Sequence, residues 1–210
     1  PDPQSPIPDP QSPIPDPQSP IPNPGIVIVI EPSMGFGTGH HATTRLCLEL
    51  LQTLPLGGVR VIDVGTGSGV LAIAAAMLGA SSVIAMDNDP DALQNARENI
   101  ALNAAPLNGD THLYGKSLTG KGKNPARRIE VVEGELGAAA GYVAEIVLAN
   151  LTPAVLQRHA PTLRRMLAPA GVLIVSGFSP EEMDDVVGAL GMSLSESRRE
   201  GEWAAATLSP

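Results

Sequence analysis

From residue 25 onward the sequence predicts an α/β domain: a mostly parallel sheet covered by helices on both faces. Short apolar runs alternate with amphipathic stretches of helical period, the pattern of consecutive strand–helix units. Hydrophobic residues make up 43% of the chain but aromatic residues only 2%, so Ala, Val, Leu and Ile must fill the core, which suits strands buried on both sides. A length of 210 residues suffices for one well-buried domain with an extension, and falls short of two catalytic domains.

Residues 1–24 stand apart from that domain. They are three copies of Pro-Asp-Pro-Gln-Ser-Pro-Ile and a broken fourth, Pro22-Asn23-Pro24. Proline lacks the backbone donor that helices and central strands need, so an extended, polyproline-like and disordered segment is expected. The repeat also has the form that a seven-nucleotide unit spells when read through its three frames in turn, an expectation that the codons would test.

Within the domain, alternation over residues 26–30 predicts a leading strand and residues 31–42 a glycine-rich loop. Residues 43–54 read as a helix with an apolar stripe at Leu46, Cys47, Leu50 and Leu51. Strands follow at 59–64 and 82–87, with helices at 68–78 and 91–103, the latter with Pro90 at its start. The polar stretch 104–128, rich in Gly, Asn and Lys, reads as an exposed insertion whose basic cluster is Lys116, Lys121, Lys123, Arg127 and Arg128. Strands at 129–133, 145–149 and 171–176, helices at 153–167 and 180–190, and a hairpin of 192–198 with 203–208 around Glu200-Gly201 complete the pattern.

Bulk properties exclude some functions. A net charge of −9 argues against holding nucleic acid through its phosphates, which needs clustered positive charge, while a basic protein partner stays compatible. The single cysteine, Cys47, can form neither an internal disulfide nor a multi-cysteine zinc site, and reads as core. Without a long apolar span or a signal-like start, a soluble cytoplasmic protein is expected.

The chemistry is concentrated in Val61-Ile62-Asp63-Val64-Gly65-Thr66-Gly67-Ser68-Gly69. Alternating glycines let a chain leave a strand tightly and bring backbone N–H groups close to a ligand. A dinucleotide fingerprint needs Gly-x-Gly-x-x-Gly, but counting from Gly65 its last position is Val70. Asp87 ends the next strand, where a carboxylate accepts hydrogen bonds from the hydroxyls of an adenosine ribose, with Asn88 on the adenine side; the alternative for Asp87 is a helix cap near Pro90. Upstream, residues 31–44 form a loop whose hydroxyls and backbone donors can close over a small ligand. Adjacent His40 and His41 have no partner at metal-ligand spacing, so no metal site is expected.

Asp63 to Gly69 resembles the first motif of class I methyltransferases. The loop at Phe36, Gly37, Thr38, Gly39, His41, Thr43 and Thr44 resembles, more narrowly, the Phe-Gly-Thr-Gly-Thr-His-Pro-Thr-Thr hallmark of the ribosomal protein L-eleven (L11) methyltransferases, with His40 in place of Thr and Ala42 in place of Pro. The likeness continues through Asp87 and Ala149-Asn150-Leu151, across residues 25–210.

That resemblance implies a Rossmann-like class I fold, seven strands with a reversed closing pair, and S-adenosyl-L-methionine as cofactor. Phe36, Thr38, Gly39, Asp63, Gly65, Thr66, Gly67, Gly69, Asp87, Asn88, Glu135 and Asn150 are the implied cofactor residues, Glu135 on the adenine side. Asn150 and Leu151 are the implied catalytic pair, presenting a neutral lysine or amino-terminal amine of a protein such as L11 to the methyl group. Asn150 could equally cap a helix before Pro153. Members of the family carry a separate amino-terminal recognition domain where this sequence has its proline repeat, so substrate recognition is expected to be weakened, redirected or lost. A small-molecule methyltransferase and a cofactor-binding remnant without turnover remain as alternatives. Oligomeric state is not legible.

Overall fold

A computed structural model describes residues 26–31, 41–104 and 125–210. In chain order the elements are α1 (Ala42–Gln52), β1 (Arg60–Val64), α2 (Val70–Met77), β2 (Ser82–Asp87), α3 (Pro90–Ala104), β3 (Ile129–Glu133) and β4 (Ala144–Asn150), then α4 (Pro153–Arg158), α5 (Ala160–Arg165), β5 (Leu167–Phe178), α6 (Met183–Leu190), β6 (Ser193–Glu200) and β7 (Trp203–Ser209).

The most continuously apolar strands take the centre. The seven-stranded sheet has the order β3-β2-β1-β4-β5-β7-β6. Strands β1 to β5 run parallel to one another, and β7 is antiparallel to both β5 and β6. The expected closing hairpin forms, but only β7 is reversed, because the later strand inserts between β5 and β6. Composition explains this: β7 is a nearly unbroken buried run, whereas β6, Ser-Leu-Ser-Glu-Ser-Arg-Arg-Glu, carries the charges that protect a sheet edge.

Alternate strand residues divide the core between the two faces. Val61, Val83, Ala85, Leu148 and Ile174 pack with Leu46, Cys47, Leu50 and Leu51 of α1 and with the alanine-rich α2. Ile62, Val64, Val147, Val175 and Phe178 pack with Leu156 of α4, Leu163 of α5 and Met183, Val186 and Leu190 of α6. Connections from β1 step toward β2 and β3, and those from β4 step the other way, so the carboxyl ends of β1 and β4 flank the topological switch point, where ligands bind in such sheets.

Two predicted elements differ. Ile28 and Ile30 pack inward as their alternation requires, while Ile26 on the same alternation is exposed, and no strand among the described residues pairs with the segment. The amide of Asn103 does so instead: Val29 N–H donates to Asn103 Oδ1 (2.9 Å), and Asn103 Nδ2 donates to the Val29 carbonyl (2.7 Å). Asn99 extends this pairing, accepting from Glu31 N–H at 2.9 Å. The helix expected over 153–167 breaks at His159 into α4 and α5, because Pro161 has no N–H for the carbonyl four residues back and its ring crowds that carbonyl.

The proline repeat, Lys116, Lys121 and Lys123 lie outside the described residues. Arg128 serves structure, donating to the Ala80 carbonyl at 2.9 Å. Among the described residues no helix is long and apolar enough to cross a membrane.

Candidate active site

The chain leaves β1 through a loop tied down by backbone bonds. Gly65 and Thr66 N–H groups donate to the Met86 carbonyl at 2.8 and 2.9 Å, and Gly67 N–H donates to Asp87 Oδ2 at 3.0 Å. Gly65 and Gly67 have φ of 69° and 54°, left-handed values that other residues rarely adopt. Asp87 Oδ1 accepts from the N–H groups of Asn88 (2.8 Å) and Asp89 (3.1 Å), so three backbone donors orient a half-buried carboxylate at the end of β2. Gly65, Thr66, Gly67 and Asp87 are therefore brought together, with Asn88 exposed beside them. Glu135 is exposed beyond the end of β3, next to Gly134, whose N–H donates to the Asp87 carbonyl at 2.9 Å.

Asp63 and Gly69 lie beneath this cradle. Asp63 is 1% exposed, and its Oδ2 accepts from the Thr66 hydroxyl (2.6 Å) and the Ala72 N–H (3.1 Å), fastening the loop to the first turn of α2. Burial pushes its carboxyl up to about 6, against the pull of those two hydrogen bonds and with a smaller push from Asp87. Gly69 lets α2 approach α3, since a Cβ there would sit 3.3 Å from Ala96 Cα. Both residues support the loop from below. Phe36, Thr38 and Gly39 lie outside the described residues.

Across the switch point, Asn150 ends β4. Its Nδ2 donates to the hydroxyls of Thr43 (3.1 Å) and Thr44 (3.4 Å), both buried in the first turn of α1. His41 Nδ1 is 2.9 Å from the same Thr43 hydroxyl, and the His41 ring meets Trp203 edge to face at 4.8 Å. The helix-cap alternative for Asn150 is not realised, because Thr152 occupies the N-cap position of α4. Leu151 N–H donates to the Ser176 carbonyl at 3.0 Å, continuing the β4–β5 pairing one residue past the strand. Cys47 lies fully buried nearby, its thiol pushed up to about 12 chiefly by burial, and packs as core.

Sequence reasoning missed Thr43 and Thr44 as partners of Asn150. A pair of threonines opening an amphipathic helix was the available signal; that they are buried and reach a residue more than 100 positions away was not. Among the described residues no group of three His, Cys, Asp or Glu could hold a metal ion.

The strand order with a single inserted antiparallel strand, the glycine exit from β1 and the carboxylate ending β2 together define a class I methyltransferase architecture. A family profile described as ribosomal protein L11 methyltransferase (PrmA) matches residues 14–209, and the chain belongs to that family. A ribosomal protein L11 methyltransferase of Heliobacterium modesticaldum is 40% identical over 183 residues, covering 86% of this chain and 52% of the relative. The chain thus spans about half the length of the curated relatives it matches. Among solved structures, a ribosomal protein L11 methylase of Lactobacillus delbrueckii subsp. bulgaricus superposes with TM-score 0.66 at 29% identity, covering 81% of this chain and 79% of that one. An RNA methyltransferase of Salinibacter ruber in complex with S-adenosyl-L-homocysteine shares the fold alone, with TM-score 0.55 at 19% identity over 77% of this chain and 88% of that one.

Proposed function

We propose that this domain transfers a methyl group from S-adenosylmethionine to amine nitrogens of a protein, lysine side chains or an amino terminus, with ribosomal protein L11 as the substrate. One observation carries the reading: the Gly65–Gly67 and Asp87 cradle and the Asn150 amide occupy strand ends on the two sides of one switch point.

The residues fit the cofactor. Asp87 is an oriented carboxylate whose three backbone donors leave about one of its roughly four acceptor sites for a ribose hydroxyl, and the side-chain-free backbone at Gly67 leaves room for the amino-acid end. Glu135 stands on the adenine side, beyond the neighbouring strand end. When bound, S-adenosylmethionine supplies a methyl carbon on a positively charged sulfur, which becomes a neutral thioether as the carbon–sulfur bond breaks.

The chain's own work is to hold and aim the acceptor. Asn150 is fixed by Thr43 and Thr44 through its nitrogen, which leaves the amide oxygen to accept a hydrogen bond from the incoming amine and direct its lone pair. Desolvation beside Leu151 favours the neutral amine, the only form with a lone pair to make the new carbon–nitrogen bond. The proton released goes to water. The relatives' name for L11 and the family's chemistry support that protein as the substrate, acted on in the cytoplasm.

The test is incubation of the full chain with methyl-labelled S-adenosylmethionine, with and without purified ribosomal protein L11. Label in L11 supports the reading. Label confined to small molecules, or binding of the cofactor without any transfer, would replace it.

A further inference from the structure

The residue after Asn150 is gripped between two glycines on the neighbouring strands, and they meet different parts of it. Gly65 leaves β1 on one side at φ 69°, and Gly177 lies near the end of β5 on the other at φ 99°. A Cβ on Gly65 would lie 2.5 Å from Leu151 Cδ2 and 3.6 Å from its Cγ, both side-chain atoms. A Cβ on Gly177 would run into the Leu151 carbonyl oxygen, with the carbonyl carbon at 2.8 Å and the nitrogen at 3.2 Å, all main-chain atoms. The β5–β7 register shifts between Ser176 and Phe178, so Gly177 is the bulged residue of its strand.

We propose that Gly177 is a positioning residue for methyl transfer: its bulge admits the Leu151 main chain against β5 and so sets the direction of the Leu151 carbonyl beside the Asn150 amide. Leu151 N–H is already committed to the Ser176 carbonyl, so that edge of the peptide is fixed and the position of the carbonyl depends on the space at Gly177. The Leu151 side chain lies over Gly65 and thereby joins the acceptor edge to the cofactor loop. The inference rests on the methyl-transfer reading above. A side chain at Gly177 pushes the Leu151 peptide away from β5 and toward the crevice, so it acts on the acceptor; a side chain at Gly65, besides straining its left-handed backbone, meets the end of a flexible leucine and crowds the cofactor.

Two readouts separate these roles: affinity for S-adenosylhomocysteine by calorimetry, and single-turnover methyl transfer to ribosomal protein L11. Gly177→Ala should bind within about threefold of the wild type yet transfer at least about 30-fold more slowly, since an ångström of misplacement near the reacting atoms costs on the order of a hundredfold. Adding Leu151→Ala should not restore it, because the obstruction is main chain. Gly65→Ala should lose affinity, with part recovered by Leu151→Ala, because there the obstruction is side chain. Should Gly177→Ala not fold, Leu151→Gly and Leu151→Ala decide the question. Both lack the Leu151 Cγ and Cδ atoms, and only glycine frees the peptide, so Leu151→Gly should transfer about fivefold more slowly than Leu151→Ala at equal cofactor affinity. Normal transfer by folded Gly177→Ala, equal losses of affinity and transfer, or identical Leu151→Gly and Leu151→Ala would overturn the assignment. A wild-type chain that fails to bind the homocysteine or to methylate L11 would overturn the parent reading along with it.

Discussion

The ends of β1 and β2 draw their groups from residues 63–87, chiefly backbone N–H donors and one oriented carboxylate, whereas the end of β4 draws on Thr43, Thr44, Asn150, Ser176 and Gly177. The first edge is assembled by a short piece of chain folding on itself. The second exists only once α1, β4 and β5 have come together. On the function proposed above the first is the cofactor edge, which should respond to changes in backbone freedom and charge, and the second is the acceptor edge, which should respond to small shifts in packing.

The largest effect should come from Asp87→Ala. It removes the acceptor that orders Gly67, Asn88 and Asp89 together with the proposed ribose partner, and hydrogen bonds to a charged group contribute about 1.5–3 kcal/mol each. Calorimetry should find S-adenosylhomocysteine affinity down by about 100-fold or more. Retained affinity would remove Asp87 from the cofactor edge.

On the opposite edge, Asn150→Ala should separate binding from chemistry. Cofactor affinity should stay within about threefold, while labelled-methyl transfer falls by about 100-fold as orientation of the acceptor is lost. A matching loss of affinity would mean that the two edges are one unit and dissolve the contrast between them.

Asp63 gives the comparison a pH axis. Its carboxyl is raised to about 6, so between about pH 4 and pH 6 the folded chain binds more protons than the unfolded one, and stability falls as pH rises through that window and stays lower above it. Asp63→Asn keeps an oxygen for Thr66 and Ala72 but carries no charge to bury. Urea unfolding should find the stability of the variant relative to the wild type greater at pH 7 than at pH 4 by roughly 3 kcal/mol, two pH units at about 1.4 kcal/mol each. A pH-independent difference would mean that Asp63 is as well solvated as a surface carboxylate.

What the sequence made legible follows the same division. The proposed cofactor edge was readable because its parts are close in the chain: the glycine spacing argued against a dinucleotide site, and Asp87 followed one strand later. Even so, the motif did not separate Gly65 and Gly67, which face the crevice, from Asp63 and Gly69, which support it, since all four fit one pattern and only burial distinguishes them. At the acceptor edge Asn150 and Leu151 came from family resemblance, and nothing local indicated Gly177, an unremarkable glycine in an apolar strand. Likewise, alternation over residues 26–30 correctly turned Ile28 and Ile30 inward but could not reveal that an asparagine amide takes the place of a neighbouring strand.

That substitution of amide for strand supplies the smallest and last test. Asn103 hydrogen-bonds both the N–H and the carbonyl of Val29, while Asn99, fully buried, accepts from Glu31 N–H and donates to the Ser68 carbonyl at the base of the cofactor loop. Asn103→Ala loses only the contacts to Val29 and to its own helix, so it should cost about 1–2 kcal/mol, speed hydrogen exchange at the Val29 amide, and leave cofactor affinity and transfer within about twofold. Asn99→Ala also strips a hydrogen bond from Ser68, so its affinity loss should exceed that of Asn103→Ala while its transfer rate at saturating cofactor matches the wild type. If Asn103→Ala lowers affinity as much as Asn99→Ala does, the leading segment itself is part of the cofactor edge, and that edge is less local than residues 63–87 suggest.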